Sequence, residues 1–121
     1  MKTLLIVDDE KPFVLSLKDG FETYAGKMKV AVAFNGKEAL DYLEKNPVDL
    51  ILLDLKMPVM DGYELVARLK QRQITVPVII MTAYGTLLRE RWAKAEGALA
   101  YIEKPLDFSE LISLVEEHLD L

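Results

Sequence analysis

The sequence predicts an α/β fold, a doubly wound parallel sheet of five strands with five helices, spanning residues 1–121 as one domain. Three observations predict it. The runs LLIV, LILL and VIIM are continuously apolar rather than alternating, as strands covered on both faces require. Helix-period stretches separate the strand-like runs, and no linker, repeat or low-complexity segment interrupts them. A length of 121 residues suits one hydrophobic core and is too short for a second folded unit.

The elements follow in order. Strand one is expected near Thr3–Val7, and its apolar run ends in Asp8, Asp9 and Glu10. Phe13, Leu17, Phe21 and Tyr24 then recur at i, i+4, i+8 and i+11, the stripe of an amphipathic helix. Strand two is expected near Met28–Phe34, with Ala39, Leu40 and Leu43 as the stripe of the next helix. Strand three, Leu50–Asp54, again ends in a carboxylate. Asp61-Gly62 reads as the turn and cap before a third helix, whose stripe is Leu65, Val66 and Leu69. Strand four is expected at Val78–Met81 and strand five at Ala98–Ile102. Between them the fourth helix, roughly Leu87–Glu96, is ambiguous: Leu88, Trp92 and Ala95 make one apolar stripe, yet Leu87 and Ala93 lie off it. Asp107 followed by Glu110 predicts a capping box for the last helix, with Phe108, Leu111, Ile112, Val115 and Leu119 facing inward.

Composition narrows the function. Half of the residues are hydrophobic, which opposes disorder, and there is no cysteine for disulfides or thiolate metal sites. A reducing compartment, the cytoplasm, is the expected location. Apolar runs of only a few residues and the lack of a signal-peptide pattern predict no membrane association. A formal charge of −5 opposes the phosphate-neutralising surface that direct nucleic-acid binding needs.

Doubly wound sheets place their sites beyond the carboxyl ends of the strands. Asp8 and Asp9 end strand one and Asp54 ends strand three, so their carboxylates converge if those strands are neighbours. Clustered carboxylates beside a low-dielectric core repel one another and call for protons or a cation. A few carboxylates without His or Cys, with room for waters and a phosphate, suit Mg²⁺ better than a full Ca²⁺ cage. An ionised Asp next to that cation is a nucleophile for a phosphoryl group. Thr82 after VIIM supplies a hydroxyl donor, and Lys104 after AYIE an ammonium that neutralises phosphoryl oxygens.

With VDDE, LLDLKMPVMDG, MTAYG and GALAYIEKP in this order and spacing, the chain resembles the receiver domain of the two-component response-regulator family. Its fold is the flavodoxin-like (βα)5 arrangement of the chemotaxis response regulator. Jointly the motifs are specific, where a bare DD or KP would not be. The resemblance implies a phosphorylation-dependent signalling switch of a phosphorelay. Asp54 would accept the phosphoryl group from the phosphohistidine of a histidine kinase or phosphotransfer protein. Asp8, Asp9 and Asp54 would bind Mg²⁺ with the backbone carbonyl of Lys56. Thr82 and Lys104 would contact the phosphoryl group, and Tyr101 would be the aromatic switch residue. The Lys104–Pro105 bond would be cis. Lys56 and Tyr84 stand two positions after Asp54 and Thr82, where the family varies and tunes the access of water to the acyl phosphate. Such domains assist their own phosphorylation and dephosphorylation but turn over no metabolite, and they pass the signal to a downstream effector or output domain. If Ala93 faces the sheet, Leu88 and Trp92 lie partly outside as an output surface for a partner or a phosphorylation-dependent dimer.

Simpler roles exist for single residues. Asp8 or Asp9 could cap a helix ahead of Pro12, Lys104 could be a solvated lysine, and the lone His118 complements a helix dipole. The alternative function is a small Mg²⁺-dependent phosphohydrolase of the haloacid dehalogenase type, which also uses an Asp nucleophile. Its Asp-x-Asp pattern is missing, since Glu10 follows Asp8 and Lys56 follows Asp54. A flavodoxin-like cofactor carrier would need a Gly-rich phosphate loop after strand one, and there is none.

Overall fold

The computed structural model describes residues 1–25, 28–83 and 85–121, with Tyr24 and Ala25 described by their backbone alone. The side chain of Tyr24 and the whole of Tyr84 therefore lie outside the described residues. Strands and helices alternate: β1 Lys2–Val7, α1 Lys11–Ala25, β2 Met28–Ala33, α2 Gly36–Lys45, β3 Leu50–Asp54, α3 Gly62–Gln71, β4 Val78–Thr82, α4 Leu87–Ala95, β5 Ala100–Glu103 and α5 Phe108–Leu119. The strands form one sheet in the order β2-β1-β3-β4-β5, and every neighbouring pair is parallel. Among the described residues, no helix is long and apolar enough to cross a membrane.

The continuous apolar runs are explained by the two-fold period of a strand, which sends successive side chains to opposite faces. Leu4, Ile6, Leu50, Leu52, Ile79 and Met81 face Val14, Leu17 and Phe21 of α1 and Leu111, Val115 and Leu119 of α5. Leu5, Val7, Ile51, Leu53 and Ile80 face Ala39, Leu40 and Leu43 of α2, Leu65 and Leu69 of α3, and Ala93 of α4. Both faces are covered, so neither can carry the polar alternation of an exposed sheet.

Several strand boundaries differ from the sequence expectation by one or two residues: β1 begins at Lys2, β4 runs on to Thr82 and β5 to Glu103, while β2 stops short and β5 begins late. β2 stops at Ala33 because the Phe34 N–H donates to the Glu38 carboxylate at 2.9 Å, while Asn35 accepts from the Glu38 N–H at 2.9 Å. That reciprocal pair caps α2 and withdraws Phe34 from the ladder. β5 begins at Ala100 rather than Ala98, since the Ala98 N–H closes the end of α4 by donating to the Ala93 carbonyl at 2.9 Å. Asp107 caps α5 as expected, accepting from the Glu110 N–H at 3.2 Å.

The ambiguity of α4 resolves in favour of Ala93, its one buried residue, so the Leu88, Trp92, Ala95 stripe is not the inward face. Leu88 is 77% exposed. Trp92 is half-buried and its ring lies 4.5 Å from that of Tyr63 on α3. A nine-residue helix with one small buried side chain and one half-buried ring against the core is weakly anchored.

Candidate functional site

The sheet order makes β1 the neighbour of both β2 and β3, so the chain reverses direction of winding there and opens a crevice at the carboxyl ends. In the β1–β3 register Val7 lies opposite Leu53, which sets Asp8 beside Asp54 one residue further on. Asp8 is fully buried and its N–H donates to the Ala33 carbonyl at 3.1 Å. Asp54 is nearly as buried, whereas Asp9 is exposed at the rim. One carboxylate oxygen from each of Asp8, Asp9 and Asp54 lies within 4.8 Å of the others.

The loop that leaves β3 fits tightly around this point. Gly62 opens α3, and a Cβ there would fall 2.6 Å from the Asp54 carbonyl oxygen and 2.9 Å from Leu55 Cα, so only glycine lets the helix start against the backbone at the end of β3. Asp61 caps α3 by accepting from the Glu64 N–H at 2.9 Å, a structural role. The Lys56 N–H lies against the Asp54 carboxylate and lowers its pKa, while the Lys56 side chain is exposed.

β4 and β5 deliver the remaining groups. Thr82, the last residue of β4, is buried, and its carbonyl accepts from the Lys104 N–H at 2.9 Å. The Lys104–Pro105 bond is cis. Lys104 Nζ donates to Asp8 Oδ2 at 2.6 Å and Glu10 Oε1 at 3.2 Å, lies 3.7 Å from Asp54 Oδ2, and sits 4.6 Å above the Phe13 ring. Glu10 and Phe13 were not among the residues expected here. Glu10 directly follows the acid pair, which is a weak signal, and Phe13 reads as helix core from its spacing.

Electrostatics follow from this packing. Burial, and then the charge of Asp8, push the Asp54 carboxyl up to about 6 from 3.8, against the opposing pull of Lys104. Burial also raises the Asp8 carboxyl, with the Lys104 hydrogen bond opposing it. For Lys104, burial disfavours the charge, yet its hydrogen bond to Asp8 and the charge of Asp54 win and its pKa rises. One ammonium thus faces several carboxylates, and the crevice retains an excess of negative charge.

The donor set fits a hard divalent cation. Oxygens on one Mg²⁺ stand roughly 3–4 Å apart, close to the present separations of no more than 4.8 Å. No sulfur or imidazole ligand competes among the described residues of the cluster.

Tyr101 lies on β5, half-buried against the Ile80 and Ala93 side of the core. Its hydroxyl is out of water and has no hydrogen-bond partner among the described residues. Burial raises its pKa, and the Thr86 backbone favours the phenolate electrostatically without completing a hydrogen bond. Leu88 and Trp92 lie outside the crevice, on α4.

Residues 4–116 match the family model described as the response regulator receiver domain. The chain belongs to that family. This receiver domain is 40% identical to sporulation initiation phosphotransferase F of Bacillus subtilis (strain 168), over 98% of this chain and 94% of that protein. It is 38% identical to the DNA-binding transcriptional regulator NtrC of Escherichia coli (strain K12), over 92% of this chain but 23% of NtrC. A Francisella receiver domain, that of response regulator 1452, superposes with a TM-score of 0.90 at 32% identity, covering 99% of this chain and 98% of that one. A CheY-like receiver domain protein from Methanospirillum hungatei JF-1 gives 0.89 at 32% identity, with 99% and 94% covered. The chain is a phosphorylation-dependent signalling domain on a flavodoxin-like sheet, as the sequence motifs implied.

Proposed function

We propose that Asp54 is the residue of this receiver domain that accepts the phosphoryl group, in a crevice where Asp8, Asp9, Asp54 and the backbone carbonyl of Lys56 hold Mg²⁺. The observation that supports this most is the meeting of three carboxylates from two adjacent strands with the half-buried Lys104. Of the three acids, Asp54 is buried, and Lys104 is drawn more closely to Asp8, at 2.6 Å, than to Asp54, at 3.7 Å. Asp9 at the rim and Asp8 below are the pair left for the metal.

The ionised Asp54 oxygen attacks phosphorus, the new O–P bond forms as the N–P bond of the donor phosphohistidine breaks, and the electron pair leaves with the imidazole. Bound Mg²⁺ would supply positive charge to the phosphoryl oxygens. The Thr82 hydroxyl donates to one of these oxygens, and Lys104 exchanges part of its carboxylate contact for another. Thr82 ends β4, the strand beside that of Asp54, and Lys104 follows β5 with its Nζ already 3.7 Å from Asp54 Oδ2, so both meet the incoming group with little reorganisation. The donor is a histidine kinase or a phosphotransfer protein. Output runs through Tyr101 and the face of α4 that presents Leu88 and Trp92, toward an effector, an output domain or a second copy.

Mixing the protein with Mg²⁺ and acetyl phosphate and weighing it tests the assignment. The expected result is one added phosphoryl mass that Asp54→Asn abolishes. Full labelling of the variant would remove Asp54 from this role.

A further inference from the structure

Lys104 is an ammonium with nowhere to go. Its side chain is only 11% exposed, bounded by Asp8, Glu10, Asp54 and the face of Phe13. Asp8, its closest partner at 2.6 Å, has both oxygens engaged: Oδ1 accepts from the Glu10 N–H at 3.0 Å and Oδ2 from Lys104. A divalent cation and the ammonium on the same carboxylate repel each other. For Asp8 to serve a metal, Lys104 must loosen its hold, and a half-buried lysine that loses its carboxylate is costly unless another one receives it.

We infer that Glu10 is a positioning residue that receives Lys104 when Asp8 turns to the metal. Its side-chain oxygen already stands 3.2 Å from Lys104 Nζ, and the Phe13 ring 4.6 Å below lets the ammonium move without leaving its apolar seat. Glu10 thereby acts twice. Its N–H orients Asp8, and its carboxylate, 61% exposed and so free to follow, keeps Lys104 charged and close to Asp54. The inference rests on the Mg²⁺ site proposed above. It predicts that Glu10 raises metal affinity through Lys104, beyond the long-range attraction that any acid at the rim would add.

A double-mutant cycle separates the two. Mg²⁺ alone is titrated into the unphosphorylated protein, with binding read from backbone amide shifts of Asp9 and Leu55, for the wild type, Glu10→Gln, Lys104→Met and the double variant. With Lys104 present, Glu10→Gln should raise the Kd about two- to fivefold, the worth of an exposed ion pair. On the Lys104→Met background the same change should raise it by clearly less. An equal rise on both backgrounds would reduce Glu10 to a bystander charge and overturn the inference, as would a Kd unmoved or lowered by Glu10→Gln. A wild-type protein that shows no saturable shift overturns the metal site itself, a distinct outcome. The amide spectra show in the same experiment that each variant is folded.

Discussion

Replacing Asp54 by asparagine in metal-free protein should make it more stable, although the change destroys the proposed function. A carboxyl raised from 3.8 to about 6 by burial and by Asp8 is harder to ionise in the folded state than in the unfolded chain. At ~1.36 kcal/mol per pH unit the full penalty is roughly 3 kcal/mol. The sign follows from linkage. Below the unfolded pKa the group is protonated in both states and there is no penalty; it grows as pH rises through the window from 3.8 to about 6 and is complete above it. The amide of Asp54→Asn carries no charge but needs hydrogen bonds of its own, which reduces the expected gain to about 1–3 kcal/mol at pH 7.5. For a domain of this size that is a rise in Tm of about 4–12 °C. Urea unfolding in the presence of EDTA, at pH 7.5 and again at pH 4, gives the comparison, and the gain should shrink strongly at pH 4. A variant no more stable than wild type at pH 7.5, or a gain equal at both pH values, would refute the electrostatic account of the site.

Mg²⁺ should reverse the penalty: at a hundred times its Kd it should stabilise the wild type by about 2.7 kcal/mol, and Asp8→Asn or Asp9→Ala should respond less at the same concentration. A melting temperature indifferent to Mg²⁺ would contradict this. Val59 has φ of 70°, a left-handed conformation unfavourable for a β-branched residue, and is 80% exposed, so Val59→Gly should stabilise the protein by about 0.5–1 kcal/mol in urea unfolding; a loss of stability would show that the loop gains from the valine side chain. Because α4 is anchored by Ala93 and Trp92 rests on Tyr63, beryllofluoride with Mg²⁺ should change Trp92 fluorescence, and Thr82→Ala should blunt the change. A silent Trp92 would place the output surface elsewhere.

The parts of the fold legible in the sequence are those that local chemistry decides. LLIV, LILL and VIIM can hardly be anything but two-sided strands, and Asp107 with Glu110 marks a helix start whatever lies beside it. The motifs likewise placed Asp8, Asp54, Thr82 and Lys104 at strand ends, where they are found. The adjacency of β1 and β3 is different in kind, because pairing is non-local and residue periodicity carries no neighbour order. The start of β5 is not legible locally, because Ala98 is apolar enough for a strand while its N–H is taken by the end of α4. The inward face of α4 was unreadable because a single alanine is buried and larger apolar residues are exposed. Phe13 passed as ordinary core, since nothing in its spacing tells of an ammonium above its ring.

The central claim is that one carboxylate, at the end of β3, carries the phosphoryl group. The most direct measurement reduces freshly phosphorylated protein with borohydride, which converts an aspartyl phosphate to homoserine, and locates that residue by peptide mass spectrometry. The account predicts homoserine at position 54 alone. Homoserine at position 8 or 9, or intact aspartate at all three positions of protein that has gained a phosphoryl mass, would contradict it.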